Sequence, residues 1–208
     1  MVDSPVYLVT TAVVVVLSVV AAVVALRRGL LRGLTMTDLA VCALVTCLLY
    51  VSTLPWAVAF AKVPGLDALI YSIPYTAVLL LGLGLVPKPG AAALMVVCHG
   101  LLGQLLGRGL NPLWWPYYVA CGVAVELLLV IPGVQPTRLQ WATVLGVARG
   151  LVSYLYTYLV MAPLAWHKYY PAWYVCLKTA LGLVGCLVGA FLAWKLAPRI
   201  ERAGRVTA

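Results

Sequence analysis

Charged residues are scarce in this sequence: they make up 9% of its 208 residues, and only five residues are acidic. A soluble domain typically carries about 25% charged residues. The hydrophobic fraction is 65%, and the mean hydropathy is +1.08. This composition excludes an ordinary soluble domain and predicts a polytopic membrane protein.

Sequence motifs of enzyme chemistry are also missing. The sequence has no His-Glu-x-x-His, no Gly-x-Ser-x-Gly and no paired acidic motif. Its six cysteines lie within apolar runs and lack the spacing of a metal site. No Walker motif is present, so any dependence on ATP has to come from a partner. We therefore expect no enzymatic activity, no metal and no cofactor.

The basic residues are concentrated at the ends of the apolar segments. Although the net charge is +9, this placement follows the positive-inside rule, and we expect no nucleic-acid partner. With the N-terminus outside the cell membrane and the C-terminus in the cytoplasm, nine basic residues fall on the inner side and three on the outer side. The inner residues are Arg27, Arg28, Arg32, Lys88, Arg138, Lys195, Arg199, Arg202 and Arg205, and the outer ones are Lys62, Arg108 and Lys168.

Long apolar runs predict an all-α bundle. Because a helix needs about 20 apolar residues to cross a bilayer, the sequence predicts seven membrane helices. They cover residues 6–26, 37–54, 67–86, 89–107, 112–131, 139–162 and 172–196. We expect an extra N-terminal transmembrane helix with a basic loop (1–35), a six-helix substrate-binding domain (36–197) and a basic cytoplasmic tail (198–208).

Three charged side chains fall inside the predicted spans: Glu126, Arg149 and Lys178. Each costs about 2.5–3.5 kcal/mol at the centre of a membrane helix, so each is expected to face the bundle interior. The helical rise puts Glu126 and Arg149 both roughly 20 Å from the outer surface. Two interpretations stay open: a buried ion pair that sets the packing, or a ligand pocket with Glu126 as its floor.

Aromatic residues support the pocket interpretation, because Trp115, Tyr118 and Glu126 share one helix face. Aromatic walls with a few polar groups suit a small, flat, polar heterocycle, although Trp and Tyr also favour the membrane interface. The apolar loop 55–66 is either a flap over the pocket or an interfacial segment. The predicted substrate-binding residues are Trp56, His99, Gln104, Trp115, Tyr118, Glu126, Tyr154 and Lys178.

Three short segments resemble a known family, the S components of energy-coupling factor (ECF) transporters, in the branch linked to thiamine and its hydroxymethylpyrimidine precursor. The resemblance spans about residues 36–196. The segments are Thr37-Asp38-Leu39, Lys88-Pro89-Gly90-Ala91-Ala92 and Ala124-Val125-Glu126-Leu127.

The resemblance implies a six-helix vitamin-binding subunit whose outward pocket is gated by its first loop. Its partners would be a transmembrane coupling subunit, contacted through Ala40, Ala43 and Cys47, and two cytoplasmic ATPases. Small residues at such spacing also serve packing within a bundle.

The expected function is therefore substrate capture for an ECF-type ABC importer of a vitamin, with thiamine or its pyrimidine precursor as substrate. Glu126 is expected to bind an amine or cationic group, and Trp56, Trp115 and Tyr118 to stack on the ring. His99, Gln104 and Lys178 are expected to add polar contacts. The alternatives are a self-sufficient secondary transporter and a structural or assembly subunit without a ligand.

Overall fold

The computed structural model describes residues 33–59, 65–109, 111 and 114–206, together with isolated residues between 12 and 27. Every regular element in this part of the chain is helical. The helices are α1 (Met36–Ala59), α2 (Leu66–Leu85), α3 (Ala91–Gly103), α4 (Trp115–Leu129), α5 (Leu139–Tyr156) and α6 (Ala172–Val206). A π-helical turn extends α3 (Gln104–Arg108), and a second extends α5 (Thr157–Met161) into a final α-helical turn (Ala162–Trp166).

Two predicted segments fall partly outside the described residues. Most of the predicted first helix, 6–26, lies outside them. The predicted loop 55–66 begins as helix, because α1 continues through Pro55 to Ala59, and residues 60–64 are not described. Only the backbone of Trp56 is described, so its predicted stacking role lies outside the described side chains.

The C-terminal boundary differs from the sequence-based prediction. A separate cytoplasmic tail was expected from residue 198, but α6 continues through Pro198 to Val206. A proline inside a helix lacks one backbone donor without always ending the helix. The predicted tail is therefore helical over most of its length.

Four of these helices are long and apolar enough to cross a membrane: α1, α2, α5 with its extension, and α6. Helices α3 and α4 are apolar but shorter. The structure thus has the composition and helix lengths of a multi-pass membrane protein, as the sequence predicted.

Local chemistry explains where α1 and α3 begin. The Asp38 carboxylate accepts hydrogen bonds from the backbone N–H and the hydroxyl of Thr35, both at 2.7 Å, which satisfies a donor that the first helical turn leaves open. Gly90 has a φ of 92°, a left-handed conformation that glycine adopts without strain, and it turns the chain from the Pro87–Pro89 segment into α3.

The six helices form a closed ring in the order α1, α2, α6, α5, α4, α3, with α3 returning to α1. The most extensive contact is between α2 and α6. It is close because Gly185 and Gly189 of α6 face the α2 backbone; a Cβ added at Gly189 would lie 2.5 Å from the carbonyl oxygen of Ile73. Small residues bring membrane helices together in this way.

Candidate functional site

A partly open cavity of about 850 Å³ occupies one end of the ring. We call this the cavity end. It is formed by the C-terminal parts of α1, α3 and α5 and the N-terminal parts of α2 and α4. Sites for small organic ligands typically measure about 300–1,000 Å³, so the cavity has a suitable size.

Aromatic side chains make up much of the cavity wall. The ring of Trp114 stacks on that of Tyr118, with centroids 6.1 Å apart and an interplanar angle of 21°. Tyr75 meets His99 edge to face at 4.9 Å. The other aromatic residues in the wall are Tyr50, Tyr71, Tyr117, Tyr154, Tyr158 and Trp166. Such rings can hold a flat ligand by stacking.

Arg149 is the buried cation of this cavity. It lies in α5, is only 3% exposed and lines the cavity. Its guanidinium carbon lies 3.6 Å from the centre of the Tyr75 ring, and its Nε has no hydrogen-bond partner. Among the described side chains, no carboxylate forms an ion pair with it.

Polar contacts join α2 to α6 and to α5 at the cavity end. The Lys178 ammonium of α6 pairs with the Asp67 carboxylate of α2, which lines the cavity. The hydroxyl of Tyr154 donates to the Ala68 carbonyl oxygen at 2.9 Å and accepts from Ser72 at 2.6 Å. These bonds fix the cavity walls relative to one another.

The structure gathers three of the predicted site residues in the cavity wall: His99, Tyr118 and Tyr154. Lys178 is buried just behind it, where it pairs with Asp67. Trp115 is 36% exposed and is not among the residues of the wall, whereas its neighbour Trp114 is.

Gln104 has a local structural role. It is buried in the π-helical turn that follows α3, and its amide exchanges two hydrogen bonds with the backbone of Asn111, at 3.2 and 3.4 Å. It is not among the residues of the cavity wall, and its amide ties the end of the α3 extension to the connection that follows.

Glu126 does not form the floor of the cavity, contrary to the prediction. Its Oε1 accepts from the Ala93 backbone N–H at 3.1 Å, at the start of α3, and it lines a small separate hollow near Lys88. The other interpretation, a Glu126–Arg149 ion pair, is also not seen among the described residues. Glu126 lies in the last turn of α4, which ends at Leu129, and its carboxylate faces the backbone at the start of α3 rather than α5.

Sequence reasoning missed several residues of the cavity. Arg149 was considered only as a partner of Glu126, and Asp67, Tyr75 and Trp114 were not considered as site residues. Trp114, Tyr118 and Cys121 recur at helical spacing, and all three line the cavity. That period could have identified Trp114 in place of Trp115.

The three predicted coupling residues, Ala40, Ala43 and Cys47, are exposed on one side of α1. Large apolar side chains are exposed on the same helix, among them Leu44 at 71% and Leu48 at 55%. This surface suits lipid or a partner helix equally.

The three segments that resemble ECF S components meet at the opposite end of the bundle from the cavity. Lys88 forms an ion pair with Asp38 at 2.5 Å, and Glu126 contacts the first turn of α3 beside them. We call this the motif end. Searches found no matching family model, no matching curated protein and no matching solved structure.

Proposed function

We propose that the protein is the substrate-binding membrane subunit of an ECF-type ABC importer that takes up a vitamin or vitamin precursor. The observation that carries the proposal is the cavity of about 850 Å³, walled by aromatic rings and reached from one end of a ring of six helices. A subunit that served only assembly gains nothing from such a space, because membrane helices usually pack closely against one another.

In the proposed membrane arrangement, α1 to α6 all cross the bilayer, and the helix that the sequence predicts over residues 6–26 is proposed as a further span. The positive-inside bias then directs the cavity to the outside and the motif end to the cytoplasm. An outward cavity fits the capture of a substrate from the medium. The exposed side of α1 around Ala43 is proposed to contact the coupling subunit, with two ATPases supplying the energy.

The proposed cargo is a small molecule with a flat ring. The resemblance implies thiamine or its hydroxymethylpyrimidine precursor. The neutral pyrimidine suits the cavity better than cationic thiamine, because Arg149 already places an unneutralised positive charge there. His99 and Tyr118 are proposed to contact the ligand, whereas Glu126 and Gln104 are proposed to support the fold.

The test is mass spectrometry of the full chain, purified in mild detergent and then denatured. We expect a small ring compound to be released from the wild-type protein. Gly103→Phe should abolish its retention, because Gly103 lines the cavity and an added Cβ there has only Tyr50 within 4 Å, at 3.9 Å. The matched control is Leu106→Phe, on the nearby π-helical turn and 65% exposed, which should retain the compound.

Proteoliposomes separate the proposed importer from its rivals. We expect no uptake by the chain alone, and ATP-dependent uptake when a coupling subunit and ATPases are added. Uptake by the chain alone would instead identify a secondary transporter. Equal retention of ligand by both variants, or no ligand under any condition, would favour a structural subunit.

A further inference from the structure

We infer that the substrate of this cavity carries a single negative charge, as a carboxylate on a flat ring, and that Arg149 binds it. The inference rests on the proposed function, since it names the chemical class of the captured substrate. It keeps the importer role but replaces the neutral or cationic compound that the resemblance implies.

The acidic side chains that the structure describes are already engaged elsewhere. The sequence has five acidic residues, and each of the three whose side chains are described has its own partner. Asp38 pairs with Lys88, Asp67 pairs with Lys178, and Glu126 accepts through Oε1 from the backbone at the start of α3, while its Oε2 has no hydrogen-bond partner among the described residues and lies outside the cavity wall. Within the described structure, therefore, no carboxylate is left for Arg149.

Arg149 is also buried. It is 3% exposed, so water supplies little compensation for its charge. The Tyr75 ring at 3.6 Å covers one face of the guanidinium, and Nε has no acceptor. A buried guanidinium normally has a carboxylate or another anion beside it, because the desolvation of an isolated ion is costly. A ligand in the cavity can provide that anion.

The other charges near the cavity determine which ligand charge would balance Arg149. Asp67 and Lys178 neutralise each other, so Arg149 leaves the cavity with one net positive charge when His99 is counted as neutral. A carboxylate balances this charge and matches the planar fork of the guanidinium, whereas a phosphate dianion exceeds it. The hydroxyl of Ser153, one helical turn from Arg149 and also in the wall, shares a 2.6 Å hydrogen bond with the hydroxyl of Tyr117, and it can donate to a ligand when Tyr117 is the donor of that bond.

The side chains around Arg149 indicate what kind of group carries the carboxylate. A carboxylate placed at Arg149 brings the attached ring among Tyr75, Tyr118 and Trp114, all of which line the cavity. Arg149 covers one face of Tyr75 and Trp114 stacks on Tyr118, so the ligand ring would contact the remaining faces and edges of these side chains, and such an aromatic wall favours a flat ring over an aliphatic chain. A ring with one carboxylate is thus the ligand class that satisfies both the charge and the walls.

The experiment compares ligands that differ only in charge. Benzoate and nicotinate are titrated against benzamide and nicotinamide, with the purified full chain in chloride-free buffer and the tryptophan fluorescence as readout. We expect each carboxylate to bind at least about tenfold more tightly than its amide, because only the carboxylate forms charge-assisted bonds to Arg149. Arg149→Gln should remove this preference.

The matched control is Arg138→Gln, at an exposed position just before the first turn of α5 and outside the cavity wall, which should keep the preference. If Arg149→Gln fails to fold, the wild-type preference alone decides. Equal affinity for acid and amide, a preference that survives Arg149→Gln, or no carboxylate binding up to about 10 mM overturns the inference. Chloride competing as strongly as benzoate would also overturn it, since it would identify a site for inorganic anions.

Failure of the inference and failure of the proposed function give different results. Tight binding of a neutral or cationic ring compound, such as hydroxymethylpyrimidine or thiamine, would overturn the inference and leave the importer proposal standing. No binding of any tested compound, together with no molecule released on denaturation, would overturn both.

Discussion

The two ends of the helix ring place charged side chains in different surroundings. At the motif end, Glu126 Oε1 accepts from the first turn of α3 while its Oε2 has no hydrogen-bond partner in the part of the chain that is described, and the partly exposed Lys88 pairs with Asp38. At the cavity end, Arg149 lies against Tyr75 with no carboxylate beside it in the described structure. A charged group with a partner in the fold supports the fold, whereas a buried cation that lines a cavity without such a partner points to a ligand. The three segments that resemble ECF S components lie at the motif end, whereas most of the candidate binding residues lie at the cavity end.

The ion pair between Asp67 and Lys178 should give the largest effect. The Lys178 side chain is 5% exposed and that of Asp67 is 31% exposed, so Asp67→Asn leaves a buried cation without a partner. We expect a loss of about 3–5 kcal/mol in stability. Lys178→Met should cost less, because Asp67 can be solvated through the cavity. Unfolding in detergent, followed by tryptophan fluorescence, measures both; equal losses would contradict the proposed difference in burial.

Gly185 lies at a closely packed helix contact, whereas Gly103 borders the open space of the cavity. Gly185→Ala should destabilise the protein by about 1–3 kcal/mol, because its Cβ would overlap the carbonyl oxygen of Leu69 in α2. Gly103→Ala faces the cavity, where the nearest atom to a new Cβ is Tyr50 Cε2 at 3.9 Å. There the better helix propensity of alanine should stabilise by up to about 1 kcal/mol. The same unfolding measurement checks both, and a loss at Gly103 would mean that the cavity closes in solution.

Replacing Glu126 tests its structural assignment. Glu126→Leu removes the acceptor for the Ala93 N–H, and we expect stability to fall by about 1–3 kcal/mol. Ligand affinity should not change, because Glu126 lies outside the cavity wall. Ligand titration of the folded variant is the second measurement. A loss of ligand affinity with unchanged stability would contradict this assignment and identify Glu126 as a binding residue.

Replacing Arg149 should raise the stability of the ligand-free protein by a small amount. Arg149→Met removes a buried charge with no ion-pair partner in the described structure, so the ligand-free protein should gain about 1 kcal/mol in stability. Affinity for the ring carboxylates should fall. Unfolding without ligand measures the first effect. A large loss of stability would show that the fold, and not a ligand, compensates Arg149.

Much of the fold follows from the sequence because a bilayer imposes helix length directly. The apolar runs and their Pro and Gly boundaries predicted α1 through α6 to within a few residues at most ends. The exceptions have local causes. Helix α1 continues through Pro55, and α6 continues through Pro198, since a proline need not end a helix.

The sequence alone determined that the chain is helical with apolar segments long enough to span a membrane, and it predicted that the three charges within those segments face the bundle interior. Only the tertiary structure decided which charge faces a cavity. Helical rise gave Glu126 and Arg149 nearly the same depth, but α4 ends three residues after Glu126, beside the start of α3, and that end supplies hydrogen-bond donors. Arg149 instead faces a space that five helices enclose together, and such a space has no signature in any one of them.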